Sequence, residues 1–243
     1  MDKVEIIAEI GINHGGSINK AHSMINRVAE ARVDTVKFQT VNADVVYKKD
    51  DPYYKIFKSV ELKLEDWISL KEHAEKVGLN FLSTPGDRVS ADLLNSIGVK
   101  RFKIASDSAK DIDFVNYVLD MGKPVIVSTG MIDSMVDIQM IVHQYKNPPA
   151  AILHCISKYP AIASELNLNR IQELRKGFST DINIGYSDHC PLIESAYVAV
   201  VKGATIIEKH FKWSDNEIDA AVSLDQDQLM TMVKGIRNLE KIL

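Results

Sequence analysis

Eight times along this chain a short run of β-branched and apolar residues gives way to a longer stretch with helical spacing. This double period constrains the fold more than any other feature. A short apolar run bounded by turn residues reads as a buried strand, and apolar residues recurring every three or four positions lay one face of a helix against it. The spacing predicts strands over residues 4–11, 35–40, 80–85, 101–106, 124–130, 150–156, 182–188 and 205–211. It predicts helices over 18–32, 64–77, 89–97, 112–121, 135–145, 168–176, 192–202 and 226–243. Ser17, Asp111 and Asn167 stand where N-caps should open three of them. Strand–helix alternation with short connections reads as a parallel α/β barrel, a single-domain (β/α)8 TIM barrel over residues 1–243. The alternative is a doubly wound open sheet, but its glycine-rich fingerprint is missing. Residues 41–61, rich in Asp, Lys and Tyr, are expected to be an irregular loop after the second strand, over the mouth of the barrel.

A length of 243 residues suits one such barrel, and 46% hydrophobic with 26% charged residues is an ordinary soluble balance. A net charge of −4 provides no basic field for nucleic acid and no polybasic tail for a membrane surface. No apolar run approaches a spanning helix, and the N-terminus lacks the basic-then-apolar order of a signal peptide. The expected location is therefore cytoplasmic, with Cys155 and Cys190 as reduced thiols.

The polar residues concentrate at the carboxyl ends of the strands, where parallel barrels place their sites. The first strand carries Glu9 and runs on to Asn13 and His14; the second carries Lys37 and Gln39. Ser83 and Thr84 follow on the third, then Lys103, Ser106, Asp107 and Ser108 on the fourth, and Ser128 and Thr129 on the fifth. The sixth has His154 and Ser157, the seventh Ser187, Asp188 and His189, and the eighth Glu208, Lys209 and His210. Hydroxyls with in-strand lysines suit an anion such as a phosphoryl group. Turn preference alone explains one or two of the hydroxyls, not a set spread over most strands. The lysines have further readings, as partners of Glu9 or Glu208 in a buried ion pair or as imine-forming nucleophiles, and the sequence leaves these open. His189 and His210, on neighbouring strand ends, are candidate ligands for a divalent metal with open positions; a lone strand-end histidine is more often a hydrogen-bonding residue. His22, His73 and His143 fall on helical patterns and read as solvated, while His154 is ambiguous.

These residues stand in motifs: 7-IAEIGINH-14, 36-VKFQT-40, 83-STP-85, 103-KIAS-106, 128-STGM-131, 153-LHC-155, 159-YP-160, 185-GYSDH-189 and 203-GATIIEKHF-211. Together they resemble the N-acetylneuraminate synthase family over essentially the whole chain, including its legionaminate, pseudaminate and spore-coat relatives. The resemblance implies a barrel that condenses phosphoenolpyruvate with an N-acetylated hexosamine of the N-acetylmannosamine type. The products are phosphate and a nonulosonic acid. It implies a divalent metal, Mn²⁺ or else Mg²⁺ or Co²⁺, on His189 and His210. It implies phosphoenolpyruvate on Lys37, Thr84, Lys103, Ser106, Ser128 and Ser187, and sugar near Gln39, Tyr159 and Asp219. Glu9, Lys37, His189 and His210 would be the catalytic set.

Three departures qualify the resemblance. The position expected to be acidic after the fourth strand is Ser108, preceded by Asp107. The usual Pro-Asp-His segment reads Ile218-Asp219-Ala220, anchored by Ser223-Leu224 downstream. The family continues into a small antifreeze-like domain that supplies an arginine to a partner's sugar site, whereas the chain stops at Leu243. The expectation is a barrel without that domain, as a homodimer or with a separate partner supplying it. Two rival readings remain at this stage. One is a 3-deoxy-heptulosonate or octulosonate phosphate-type synthase, and the other is a weak or inactive barrel serving as a binding or assembly subunit.

Overall fold

The strands alternate between two buried environments, and that alternation sets the architecture. In the computed structural model, which describes residues 3–243, they are β1 Glu5–Gly11, β2 Thr35–Thr40, β3 Asn80–Pro85, β4 Phe102–Ile104, β5 Val125–Ser128, β6 Ala151–Cys155, β7 Asn183–Asp188 and β8 Ile206–His210. They hydrogen-bond in the order β3-β2-β1-β8-β7-β6-β5-β4, and every ladder is parallel. The end strands β3 and β4 lie side by side, which brings the sheet round into a nearly closed barrel. Parallel neighbours require crossovers, and each one here carries a helix.

The helices are α1 Ile18–Glu30, α2 Ala43–Val46, α3 Pro52–Val60, α4 Leu64–Lys76, α5 Arg88–Ser96, α6 Ile112–Leu119, α7 Met135–Val142, α8 Asn169–Gly177, α9 Glu194–Val201 and α10 Gln226–Ile242. Ser17 and Asp111 cap α1 and α6 through their side chains. Asn167 does not cap α8: its φ of 43° is left-handed and the helix begins at Asn169. The stretch 41–61 is not an irregular loop. Asn42 and Asp51 cap two short helices, α2 and α3, and Pro52 sits in the first turn of the second. No described helix is long and apolar enough to cross a membrane.

Outward-facing strand residues, among them Ile6, Ala8 and Ile10 on β1 and Ile184 and Tyr186 on β7, join the large apolar layer beneath the helices. Inward-facing Ile7, Leu82, Ile126, Ala151, Leu153 and Ile206 form a separate cluster, the floor inside the barrel. At the amino-terminal end below it, Arg101 pairs with both Glu5 carboxylate oxygens and donates to Thr35 Oγ1 at 3.0 Å. Above the floor the interior turns polar.

The same parity removes several strand-end residues from the mouth. Asp188 and Lys209 face outward and form a fully buried ion pair at 2.8 Å. Lys209 also donates to the carbonyls of Cys190 and Leu192, and Asp188 accepts from Ser195 Oγ, Tyr186 OH and Cys190 N. Removing one partner of such a pair strands a buried charge. Lys209→Met is expected to lower unfolding stability by about 3–5 kcal/mol. It should appear as a lower urea midpoint with unchanged slope, partly recovered in the Asp188→Asn, Lys209→Met double variant.

Candidate active site

Strand register sets the polar layer level: Glu9 pairs with Lys37, Cys155 with Ser187, and Ser187 with Glu208. Glu208 is its hub. Its Oε1 accepts from Ser187 Oγ at 2.9 Å and lies 3.4 Å from Lys37 Nζ and 3.9 Å from Lys103 Nζ. Lys37 Nζ also lies 3.1 Å from Glu9 Oε1 and donates to Thr84 Oγ1 at 3.2 Å. Lys103 donates to Ser128 Oγ at 2.6 Å and to the Ile104 carbonyl at 3.0 Å. Ser106 Oγ accepts from the Gly130 amide at 2.9 Å, so the β5–α7 turn aims a backbone donor at the same ring. Gln39 Nε2 donates to Glu9 Oε1 at 3.3 Å. All four charged side chains are buried, yet Oε2 of Glu9 and of Glu208 have no hydrogen-bond partner. Unpartnered buried carboxylate oxygens cost stability and mark a site built for something besides folding.

The environment splits the two carboxylates. Burial raises the Glu9 pKa, opposed by Lys37 and reinforced by Glu208. Burial also acts against the Glu208 charge, but Lys103, Lys37 and the Ser187 hydroxyl outweigh it and hold the carboxyl below its ordinary value. The lysines divide in the same way. Lys37, between two carboxylates, is held above its usual value despite burial, whereas burial dominates at Lys103 and pulls it down.

One layer higher, His189 and His210 face each other with ring centroids 5.3 Å apart. His189 Nδ1 lies 2.8 Å from the Ile156 carbonyl, which accepts its proton and leaves Nε2 as the lone-pair nitrogen. Tyr159 OH stands 2.9 Å from His189 Nε2 and 3.5 Å from His210 Nε2. Burial, with His189 and Lys37 next in effect, keeps the His210 pKa well below its ordinary value, so its imidazole is neutral. His210 Nδ1 is an orphaned buried atom 3.6 Å from Asp219 Oδ2. At His189 burial is outweighed by the Cys155 thiol and the Ile156 carbonyl, which hold its pKa above the ordinary value; two imidazoles converging on one point, one oriented by a backbone carbonyl, fit a divalent cation that would take the place of a proton. Among the described residues no group of three His, Cys, Asp or Glu side chains forms a closed cage, so a cation here would keep open positions.

The structure thus joins Glu9, Lys37, Gln39, Thr84, Lys103, Ser106, Ser128, Tyr159, Ser187, His189, His210 and Asp219 in one neighbourhood. Asn13 serves it indirectly, accepting from the Asp219 amide at 2.8 Å and donating to the Phe211 carbonyl at 2.9 Å. Ser83 instead bonds outward to Thr40 and the Phe38 carbonyl, and Thr129 to the Leu153 carbonyl. His154 faces the helices, bonding the Leu166 carbonyl at 2.7 Å and stacking on Tyr186. His14 packs edge-on against outward-facing Phe38, and burial pushes its pKa down to about 4. Asp107 is exposed, bonded by its neighbour Ser108, and joins none of the ring's hydrogen bonds. Glu208, expected only as a possible ion-pair partner of the lysines, is the hub of the ring, and one residue that the sequence did not assign to the site belongs to it: Cys155, whose thiol lies 3.6 Å from His189 Nδ1. Both share strand parity with site residues, Glu208 with His210 and Cys155 with Leu153 of the interior floor, and that was the available signal.

A parallel barrel whose mouth combines a lysine–hydroxyl ring with paired imidazoles defines an enzyme that handles an anionic substrate. The chain belongs to the NeuB family, whose model matches residues 24–243. It is 35% identical over 261 residues to the N,N'-diacetyllegionaminic acid synthase of Legionella pneumophila, covering 98% of this chain and 72% of that one. It is 30% identical over 257 residues to the human N-acetylneuraminate-9-phosphate synthase, covering 98% and 70%. The crystal structure of the N-acetylneuraminic acid synthetase of Leptospira borgpetersenii superposes with a TM-score of 0.94 at 35% identity, covering 99% of this chain and 85% of that one. The chain is accordingly a phosphoenolpyruvate-dependent condensing transferase in class.

The depressed Lys103 predicts an alkaline limit. Its charge is present below its folded pKa and lost as pH rises through it, earlier than for an exposed lysine. Phosphoenolpyruvate binding should weaken along that limb, and Lys103→Arg should move the limb upward. Calorimetric titration across pH reads it, and a limb that Lys103→Arg leaves in place assigns it to another group.

Proposed function

We propose that this barrel joins phosphoenolpyruvate to the open-chain aldehyde of an N-acetylated hexosamine, releasing phosphate and forming a nine-carbon 2-keto-3-deoxy acid. The observation carrying this reading is the buried Lys37–Glu208–Lys103 cluster, ringed by hydroxyls and set one layer beneath the imidazole pair.

A substrate with a phosphoryl group and a carboxylate needs several donors and two cationic groups in a dry site. Lys37, Lys103, Thr84, Ser106, Ser128 and Ser187 supply them. A divalent cation held by His189 and His210 would polarise the aldehyde carbonyl. C3 of phosphoenolpyruvate attacks the aldehyde carbon, that oxygen becomes a hydroxyl, and positive charge develops at C2. Glu9, with a free Oε2 beside the lysines, stabilises that charge. Water adds at C2, and the resulting tetrahedral centre expels phosphate by C–O cleavage, leaving the 2-keto group. The lysines hold the departing anion. The ion pairing that keeps Lys37 protonated disfavours imine chemistry at that lysine, which needs a free amine. Tyr159, Gln39 and Asp219 rim the reacting centre and are suited to hold the sugar.

Phosphate release from phosphoenolpyruvate should depend on an acceptor such as N-acetylmannosamine and on Mn²⁺. Absence of any sugar-dependent release across a panel of N-acetylated hexosamines would sink the synthase reading in favour of a binding barrel. The His189→Ala, His210→Ala double variant should lose at least roughly a hundredfold in turnover. Glu9→Gln should lower kcat by about 10²–10³ with little change in the KM for phosphoenolpyruvate, because its contribution arises only as charge develops.

A further inference from the structure

The buried, outward-facing pair Asp188–Lys209 stands one residue from each imidazole: Asp188 precedes His189 on β7, and Lys209 precedes His210 on β8. The two are also register partners, at the last paired position between these strands. Their bonds converge on the backbone just past His189. Asp188 Oδ1 accepts from the Cys190 amide at 2.9 Å, a side-chain turn with His189 at its centre. Lys209 Nζ donates to the Cys190 carbonyl, and to that of Leu192 at 3.2 Å. Asp188 Oδ2 accepts from Lys209 Nζ at 2.8 Å and from Ser195 Oγ at 2.5 Å, which ties the same turn to α9. The amide and the carbonyl of the residue after one imidazole are thus held by a pair that includes the residue before the other.

The two rings differ in how they are fixed. His189 is oriented by the Ile156 carbonyl, and its own carbonyl accepts from the Ala161 amide at 3.0 Å. His210 Nδ1 has no hydrogen-bond partner, and its Nε2 meets Tyr159 OH only at 3.5 Å. The place of His210 relative to His189 therefore comes from its backbone, and Lys209 is the side chain that ties that backbone to the turn at Cys190. Stability alone does not call for this chemistry. A buried ion pair gains little over apolar side chains of similar volume, whereas its directional bonds fix a geometry that apolar packing leaves loose. Two imidazoles sharing a cation need that fixing, because metal–nitrogen bonds of about 2.1 Å tolerate little drift between ligands.

We propose that Asp188 and Lys209 are positioning residues that set the spacing of His189 and His210 for a divalent cation. This rests on the metal reading of the histidine pair and adds to it the element that holds the ligands in place. Both residues act through the Cys190 backbone and the β7–β8 ladder.

The experiment titrates Mn²⁺, and separately phosphoenolpyruvate, into metal-free protein by calorimetry. It compares the native chain, Lys209→Met and the Asp188→Asn, Lys209→Met double variant, all held well below their unfolding midpoints. The visible absorption of bound Co²⁺ reads the ligand geometry. Both variants should bind Mn²⁺ about ten- to a hundredfold more weakly and shift the Co²⁺ bands, while phosphoenolpyruvate affinity stays within about twofold. The double variant strands no charge and so regains stability, yet it should not regain Mn²⁺ affinity, because the bond from residue 209 to the Cys190 carbonyl is missing from both. Native Mn²⁺ affinity in the folded variants, or affinity that returns in step with stability, overturns the proposal and leaves the pair a fold-stabilising contact. An equal loss of phosphoenolpyruvate affinity overturns it too, since the whole mouth has then loosened. A native chain that binds neither Mn²⁺ nor Co²⁺ overturns the metal reading of His189 and His210 itself, and the proposal with it.

Discussion

The buried contact between Glu208 and the two lysines is the constraint around which the barrel mouth is arranged. Two ammonium groups in a water-poor interior repel each other and lose their hydration. Glu208 makes their coexistence possible by accepting from Ser187 while facing Lys37 and Lys103. Glu9 then shares Lys37, and its own charge is disfavoured by Glu208. The consequence is an internally balanced cluster with an unused oxygen on each carboxylate. Such a cluster is a poor way to stabilise a fold and a good way to keep cations positioned for an anion.

The cluster depends on layers beneath and above it. The apolar floor, from Ile7 to Ile206, keeps the lysines from reaching water through the barrel's amino-terminal end. Gly185 belongs to that floor, since a side chain there would press on Leu153 and on the Ile206 carbonyl. Above, the Ile156 carbonyl orients His189, and Asn13 fixes the segment carrying Asp219 beside His210. The mouth is therefore held by backbone groups as much as by side chains.

Much of this was legible in the residue order. The eight strand–helix units, the strand-end lysines and hydroxyls and the histidine pair all follow from periodicity and residue type. Parity was the part of the signal that strand-end proximity obscured. Glu208 and His210 point inward while Lys209 between them points out, and Ser187 and His189 point inward around outward-facing Asp188. The departures from the usual family pattern also gained definite positions. Asp107 is exposed, away from the ring, and Asp219 stays beside His210 without the neighbouring histidine of the family motif.

The sequence by itself determined the barrel and the kinds of group at its mouth, because alternation and helical spacing are local properties of the chain. Tertiary structure alone decided which of those groups meet. Glu208 and Lys103 are 3.9 Å apart although more than a hundred residues separate them, a proximity set by strand order and register. It also decided that residues 41–61 fold into two helices, capped by Asn42 and Asp51 and packed on each other, over a cavity lined from β2, α4 and α5. Charge balance and cavity shape are properties of groups brought together from distant parts of the chain, and no local pattern contains them.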